Sequence, residues 1–237
     1  MPVIGAPRPL SARLHAIANA IPAGARVADV GTDHAQLLAW LHAAGRITRG
    51  IGIDRRPGPL AQARHTLHTT NTVGVELRLG DGLTPLRPDE VDTAVLAGLG
   101  GLTMVRLLEA APAIVERLTG LVLQPNTDWT EVRRFIARRG WSLEDESMVE
   151  DRNKFYVVLR VDPRPGPPLR WSEDELLLGP LLLLTRPPAH TAWIHHELRR
   201  IDRALHRIER HRDQNDPRAQ DLRTHARRLR RALPPER

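Results

Sequence analysis

The chain has no cysteine, a single lysine, and aromatic residues at only 3% of its 237 positions. Without thiols there are no disulfide staples and no thiolate metal sites. With so few aromatics, a core must rest on Leu, Val, Ile and Ala. No apolar run approaches the roughly 20 residues of a membrane span. The longest candidate, "LLLGPLLLLT", is short and is interrupted by Gly179 and Pro180. The start, "MPVIGAPRPL", lacks the basic segment and long apolar centre of a secretory signal. A cytoplasmic protein with no membrane attachment is expected.

What is present suits one sizeable globular domain and an appendage: 41% of residues are hydrophobic. The net charge is +7. Residues 1–160 hold 19 Lys+Arg against 17 Asp+Glu, and residues 161–237 hold 16 against 11. The basic excess therefore lies mostly in the last third, where a polyanionic partner would be met. Arginine stands almost everywhere that lysine could, Lys154 being the exception. A GC-rich genome imposes the same bias, so charge alone does not decide for nucleic acid.

Up to about residue 160, short apolar runs alternate with amphipathic stretches. Strands are predicted at 26–30, 50–53, 75–79, 93–97, 121–123, 141–146 and 155–161. Helices are predicted at 10–20, 34–44, 58–70, 102–110 and 130–139. This alternation predicts an α/β fold with a mostly parallel seven-stranded sheet covered on both faces. "EDRN" joins the last two strands as a hairpin, placing an antiparallel strand at the end of the sheet. "VDPRPGPPLRW" has four prolines and a glycine in eleven residues, too many for a helix or central strand. The expected division is thus 1–161, a linker at 162–171, and 172–237. In the last part, Ile194, Leu198, Ile201, Leu205 and Ile208 step by 4, 3, 4 and 3, and Leu222, Ala226, Leu229 and Leu233 repeat the pattern. With the turn residues "DQNDP" between them, they predict an antiparallel helical hairpin with an Arg-rich outer face.

The chemistry gathers at strand ends. "RVADVGTDHAQL" opens like a nucleotide-binding loop, with Asp29 and Gly31 ending the first strand. Where a second glycine would stand come Asp33 and His34. A pyrophosphate on a helix N-terminus wants glycine amides and no carboxylate, so the expected ligand has no phosphate there. Asp54 ends "GIGID" at a spacing that lets it accept from both hydroxyls of a ribose. Asp81 and Gly82 in "LGDGL" can read the exocyclic amine of an adenine. Gly98 in "AGLGG" ends the fourth strand. Adenine and ribose without phosphate point to S-adenosylmethionine, whose zwitterionic end can place its ammonium on Asp29 or Asp33. The competing readings are that Asp33 is only an N-cap, Asp81 a turn residue, and the glycines turn geometry alone. His195 and His196 cannot face together on one helix, so no metal site is expected.

Together, "RLHAIANAIPAGARVADVGTDHAQL", "LGDGLTPL", "AGLGG", "LVLQPN" and "NKFYVVLRV" resemble the TrmK family of bacterial tRNA methyltransferases. The likeness spans about Arg13 to Val161, and the helical hairpin is similar to the family's C-terminal coiled-coil domain. Leu38 stands where the family usually has proline, and Leu99 where it has methionine. The resemblance implies a class I Rossmann-like methyltransferase fold. It implies S-adenosylmethionine as donor and N1 of adenine 22 in the D-loop region of tRNA as acceptor. Another RNA or a small molecule is the alternative substrate.

The candidate donor site comprises Asp29, Gly31, Asp33, His34, Asp54, Asp81, Gly82 and Gly98. Gln124, Pro125 and Asn126, after the fifth strand, are candidates for the target base, and Asp33 and Asn126 for a catalytic role. A turn explains Asn126 equally well, and Trp129 reads as an anchor for the following helix. Arg199, Arg203 and Arg207 on the hairpin are candidates for RNA phosphates, a packing or dimer surface being the other reading. No protein partner is evident, and a monomer or weak dimer is expected.

Overall fold

The structure, a computed structural model, describes residues 7–210 and 217–233. The chain divides into two compact units, Met1–Arg170 and Trp171–Arg237. In the first, helix α1 (Ala12–Ala20) precedes strand β1 (Ala25–Val30), α2 (Gln36–Ala43), β2 (Ile47–Asp54), α3 (Pro57–Thr69) and β3 (Val75–Leu79). Then come β4 (Thr93–Gly100), α4 (Gly101–Glu109), the short α5 (Pro112–Val115), β5 (Gly120–Thr127), α6 (Trp129–Arg139), β6 (Ser142–Asp151) and β7 (Lys154–Asp162).

The seven strands form one sheet in the order β3-β2-β1-β4-β5-β7-β6. β1 to β5 are parallel, and β7 runs antiparallel to both β5 and β6. The antiparallel strand expected at the end of the sheet is therefore inserted one place inward, with β6 on the edge. The hairpin makes this possible: Arg152 and Asn153 both take positive φ, 51° and 61°, which suits a two-residue turn between twisted strands. From β1 the chain winds outward to β2 and β3, then returns to wind the other way through β4 and β5. Right-handed crossovers place the two sets of helices on opposite faces. Accordingly α1 packs on α2 and α2 on α3, while α4 packs on α5 and α6.

The core is aliphatic, as the scarcity of aromatics requires. Val27, Val95, Val122 and Val158, from four neighbouring strands, pack with Ile17, Ile21, Leu38 and Leu41 of α1 and α2. A tight ion pair enters it: Arg133 on α6 and Glu146 on β6 are both fully buried, with Nε donating to Oε1 at 2.7 Å. The proline-rich segment is no loose spacer. Gly166 N donates to Gly140 O at 3.0 Å, and Leu169 N to Ala137 O at 3.0 Å, laying the segment on the end of α6. Gly140, at φ 65°, admits no side chain there: an added Cβ would sit 2.0 Å from the Gly166 oxygen.

The second unit contains α7 (Glu173–Leu178), α8 (Pro180–Thr185), α9 (Pro188–Arg210) and α10 (Pro217–Ala232). Ser172 and Glu175 close a capping box at the start of α7. Of the expected seams, Ile194, Leu198 and Ile201 on α9 and Ala226 and Leu229 on α10 are buried, while Leu205, Ile208, Leu222 and Leu233 are half-buried. Asp202 pairs with Arg230 at 3.6 Å while Leu205 lies beside Ala226, which fixes the antiparallel sense. The turn residues Asp213 to Asp216 lie outside the described residues. Among the described residues, no helix is long and apolar enough to cross a membrane.

Candidate functional site

The sheet reverses its winding between β1 and β4, and the carboxyl ends of the strands open there into a cleft of about 780 Å³. This is where open α/β sheets bind ligands, and the volume suits a small organic molecule. The cleft is lined by Gly31 and Asp33 after β1, Asp54 at the end of β2, and Asp81 and Gly82 after β3. Gly98 of β4 and Asn126 of β5 line it as well, whereas Asp29 and His34, also expected at the donor, line a smaller pocket beside it.

The first loop is shaped by backbone. Gly31 takes φ 76°, a conformation that costs other residues a strained Cβ, and its amide and that of Thr32 both donate to Ile53 O on β2. Asp33 and Ala35 also have positive φ, 50° and 53°. Ala35 is the N-cap of α2, with no side-chain cap bond. The capping reading of Asp33 is therefore removed: its carboxylate is exposed and lies 3.4 Å from His34 Nε2. His34 is exposed and lines a smaller side pocket with Asp29, Gly31, Thr32 and Asp33.

Asp29 is the buried member of this group. Burial pushes its carboxyl up to about 6, and the nearby Asp33 and Asp54 push the same way. The Thr32 hydroxyl, donating at 2.8 Å, and the Arg13 guanidinium partly offset this.

Asp54 is also buried, its Oδ1 accepting from Arg56 N at 2.9 Å, which fixes the carboxylate at the strand end. Asp81 is exposed and faces Arg106 of α4 at 3.4 Å. Gly82, at φ 60°, brings backbone against α4: a Cβ there would lie 2.8 Å from Leu107 Cδ2. Gly98, at φ 75°, sits where the pairing of β4 with β5 shifts register.

Beyond Gly98 the site is built from side chains. Gln124 is fully buried. Its Oε1 accepts from Arg13 Nη1 at 2.7 Å and from Gly98 N at 3.2 Å, while its Nε2 donates to Asn126 Oδ1 at 3.1 Å. Asn126 Nδ2 in turn donates to Gly98 O at 2.8 Å. Of the three residues expected to meet a target base, only Asn126 lines the cleft. Pro125 is buried, with its carbonyl accepting from Trp129 Nε1 at 3.0 Å, and Gln124 acts from behind. Trp129 thus anchors α6, as read from the sequence.

Among the cleft residues that escaped the sequence reading, two meet each other. Arg13 enters from α1, and Tyr156, the chain's one tyrosine, from β7. The Arg13 guanidinium lies over the Tyr156 ring, 5.6 Å from its centroid. Both stood inside quoted motifs, and a lone tyrosine in an aromatic-poor chain was the available signal for Tyr156. Arg13 had none, since its partners are more than a hundred residues away.

Arg199, Arg203 and Arg207 belong to the second unit, on α9, where all three are exposed. They follow a one-turn spacing, and Arg203 Nε donates to Arg199 O at 3.3 Å.

Residues 10–159 match a family described as a methyltransferase domain. A tRNA (adenine(22)-N(1))-methyltransferase of Bacillus subtilis is 33% identical over 154 residues, covering 63% of this chain and 63% of that protein. The chain thus spans less than two thirds of that relative's length in the match. In three dimensions, the crystal structure of the Bacillus subtilis m1A22 tRNA methyltransferase superposes with a TM-score of 0.81. It is 26% identical, over 95% of this chain and 99% of that one. A Streptococcus pneumoniae protein crystallised with S-adenosyl-L-methionine gives 0.84 at 26% identity, over 95% and 100%.

Proposed function

The chain belongs to the methyltransferase-domain family, and from that premise we propose that it transfers a methyl group from S-adenosyl-L-methionine to N1 of an adenine in tRNA, at position 22. The likeness to the TrmK family read from the motifs agrees with the relatives found. The observation that carries the reading is the row of ligand groups at successive strand ends, with acidic residues where a dinucleotide would need bare amides.

The residues present fit this donor. Asp54 would accept from its ribose hydroxyls and Asp81 from its adenine amine, with the Gly31 and Gly82 turns letting backbone approach closely. Asp29 and Asp33 offer acceptors for its ammonium. When bound, the donor would supply a methyl group on a sulfonium, whose carbon the in-plane lone pair of adenine N1 can attack directly as the C–S bond breaks and a neutral thioether leaves. The protein's work is then positioning and charge. Asn126 stands at the cleft edge with a free amide hydrogen for the target base edge. Tyr156 offers a ring face against which an extruded base can stack, and the ring favours the cationic methylated product. Asp33, exposed beside the cleft, can meet the ammonium or take the N6 proton, and we assign it to the donor.

A substrate as large as tRNA needs contacts beyond this cleft, and we assign the Arg199, Arg203 and Arg207 stripe to its phosphates. Reversing all three charges should weaken tRNA binding and flatten its salt dependence while leaving donor affinity unchanged. Equal RNA affinity would remove the stripe from the interface. The activity itself is tested by incubating the protein with donor and unmodified tRNA transcripts, then mapping methylated nucleosides by mass spectrometry. One-methyladenosine at position 22 is expected. Donor binding without transfer to tRNA would redirect the reading to another RNA or a small molecule.

A further inference from the structure

We propose that Gln124, behind the cleft wall, is the positioning residue that fixes which way round Asn126 meets the target base. The proposal rests on the base contact assigned to Asn126 above. An asparagine amide has a donor end and an acceptor end of nearly equal shape. A half-turn of the amide exchanges them, so an asparagine at a cleft edge needs something to hold it one way round.

The holding begins at a break in the sheet. β4 and β5 pair at Ala97 with Gln124 and next at Leu99 with Pro125, so Gly98 is passed over. Pro125, beside the break, has no N–H to offer. The side chains on either side of it serve Gly98 instead. Gly98 N donates to Gln124 Oε1 at 3.2 Å, and Asn126 Nδ2 donates to Gly98 O at 2.8 Å.

The chemistry of the partners leaves one arrangement. Arg13 Nη1, at 2.7 Å, and Gly98 N meet the same end of Gln124, and neither can accept. That end must be the oxygen. The other end is then the amine, and it donates to Asn126 at 3.1 Å, so the Asn126 atom facing it must be oxygen. Gly98 O, which only accepts, calls for the Asn126 amine on its other side. Gln124 is fully buried, so water does not compete for these bonds. One amide hydrogen and one oxygen lone pair of Asn126 remain for the base, in a fixed order. Turned over, Asn126 would present them in the reverse order and set oxygen against oxygen at Gly98.

A purely structural role, tying α1 to β4 and β5, is the competing reading. Two variants separate them. Gln124→Glu keeps the volume and the acceptor for Arg13 and Gly98, and beside Arg13 its carboxylate is ionised at about pH 8. Gln124→Met removes that acceptor. The loss common to both is the hydrogen donated to Asn126. With donor and tRNA saturating, each should lower kcat about tenfold and leave KM for tRNA unchanged, as loss of the Asn126 contact would. In an Asn126→Ala background neither should lower kcat further, because the residue through which Gln124 acts is gone. Cooperative melting checks that each variant is folded; if Gln124→Met is not, Gln124→Glu completes the cycle alone. Full activity of Gln124→Glu overturns the proposal. So does a further tenfold fall in the double variants, which would mark a structural role independent of Asn126. A parent protein that methylates no tRNA is a separate failure: it removes the base contact itself, and this proposal with it.

Discussion

The two ends of the cleft are made of different materials. Toward β2 and β3, the cleft's carboxylates sit at strand ends beside backbone turns at Gly31 and Gly82. Toward β5 and β7, the wall is a chain of side chains in which Gln124 holds Arg13 and Asn126, with Tyr156 alongside. The first end depends on what the backbone can do locally. The second depends on residues that meet only once the sheet is complete.

Four substitutions probe this contrast, the first with the largest effect. Gly101, at the start of α4 beneath the cleft, would place a Cβ 2.7 Å from Asp128 O and 2.8 Å from Thr127 O. Gly101→Ala should cost about 3 kcal/mol in urea unfolding, because backbone cannot step aside as a side chain can. An unshifted midpoint would mean that the junction of α4 with the end of β5 is more pliable than its contacts imply.

Asp54→Ala comes next. Loss of a buried, fixed acceptor should weaken donor binding by about 2 to 3 kcal/mol, read by calorimetry, while tRNA affinity holds. A small loss would move the ribose elsewhere.

Asp29→Asn tests the buried acid of the first loop through pH. The folded carboxyl titrates at about 6 against an ordinary 3.8, so the folded state holds the extra proton between these values. The resulting stability is fully present below about pH 4 and is lost as pH rises through 6. The neutral variant should therefore be the more stable by on the order of 2 to 3 kcal/mol above pH 7, with the difference vanishing near pH 4. Parallel melting curves from pH 4 to 8 would contradict this.

The smallest effect is expected from the side-chain wall. Asn126→Ala should lower kcat on tRNA about tenfold with donor affinity unchanged, the loss of roughly one hydrogen bond. A change in donor affinity instead would mean that the two ends are not separable.

The same contrast explains what could be read beforehand. Asp54, Asp81 and Gly31 announce themselves because each is tied to its strand's end by a few residues of local sequence. The helical seams of α9 and α10 were legible for the same reason, as a repeat along one element. The burial of Gln124 was not, since "LQPN" looks alike whether its amide faces a ligand or a neighbouring arginine. Nor was the inward place of β7, which follows from pairing across the sheet and from the tight turn at Arg152 and Asn153. Arg13 was hidden entirely, its clamp lying 111 residues away at Gln124 and 138 at Asp151.

Those separations set an order of events in synthesis. The first helix leaves the ribosome long before the strands that fasten it, so the donor-side turns can form while Arg13 still has nothing to hold. Only when the last hairpin has emerged do Asp151 and Tyr156 become available to close the wall. Contacts of such long range are slow to form. A nascent chain therefore passes through a stage with its strand-end carboxylates in place and its arginine adrift. The side-chain wall is the last part of the cleft that the growing chain can complete.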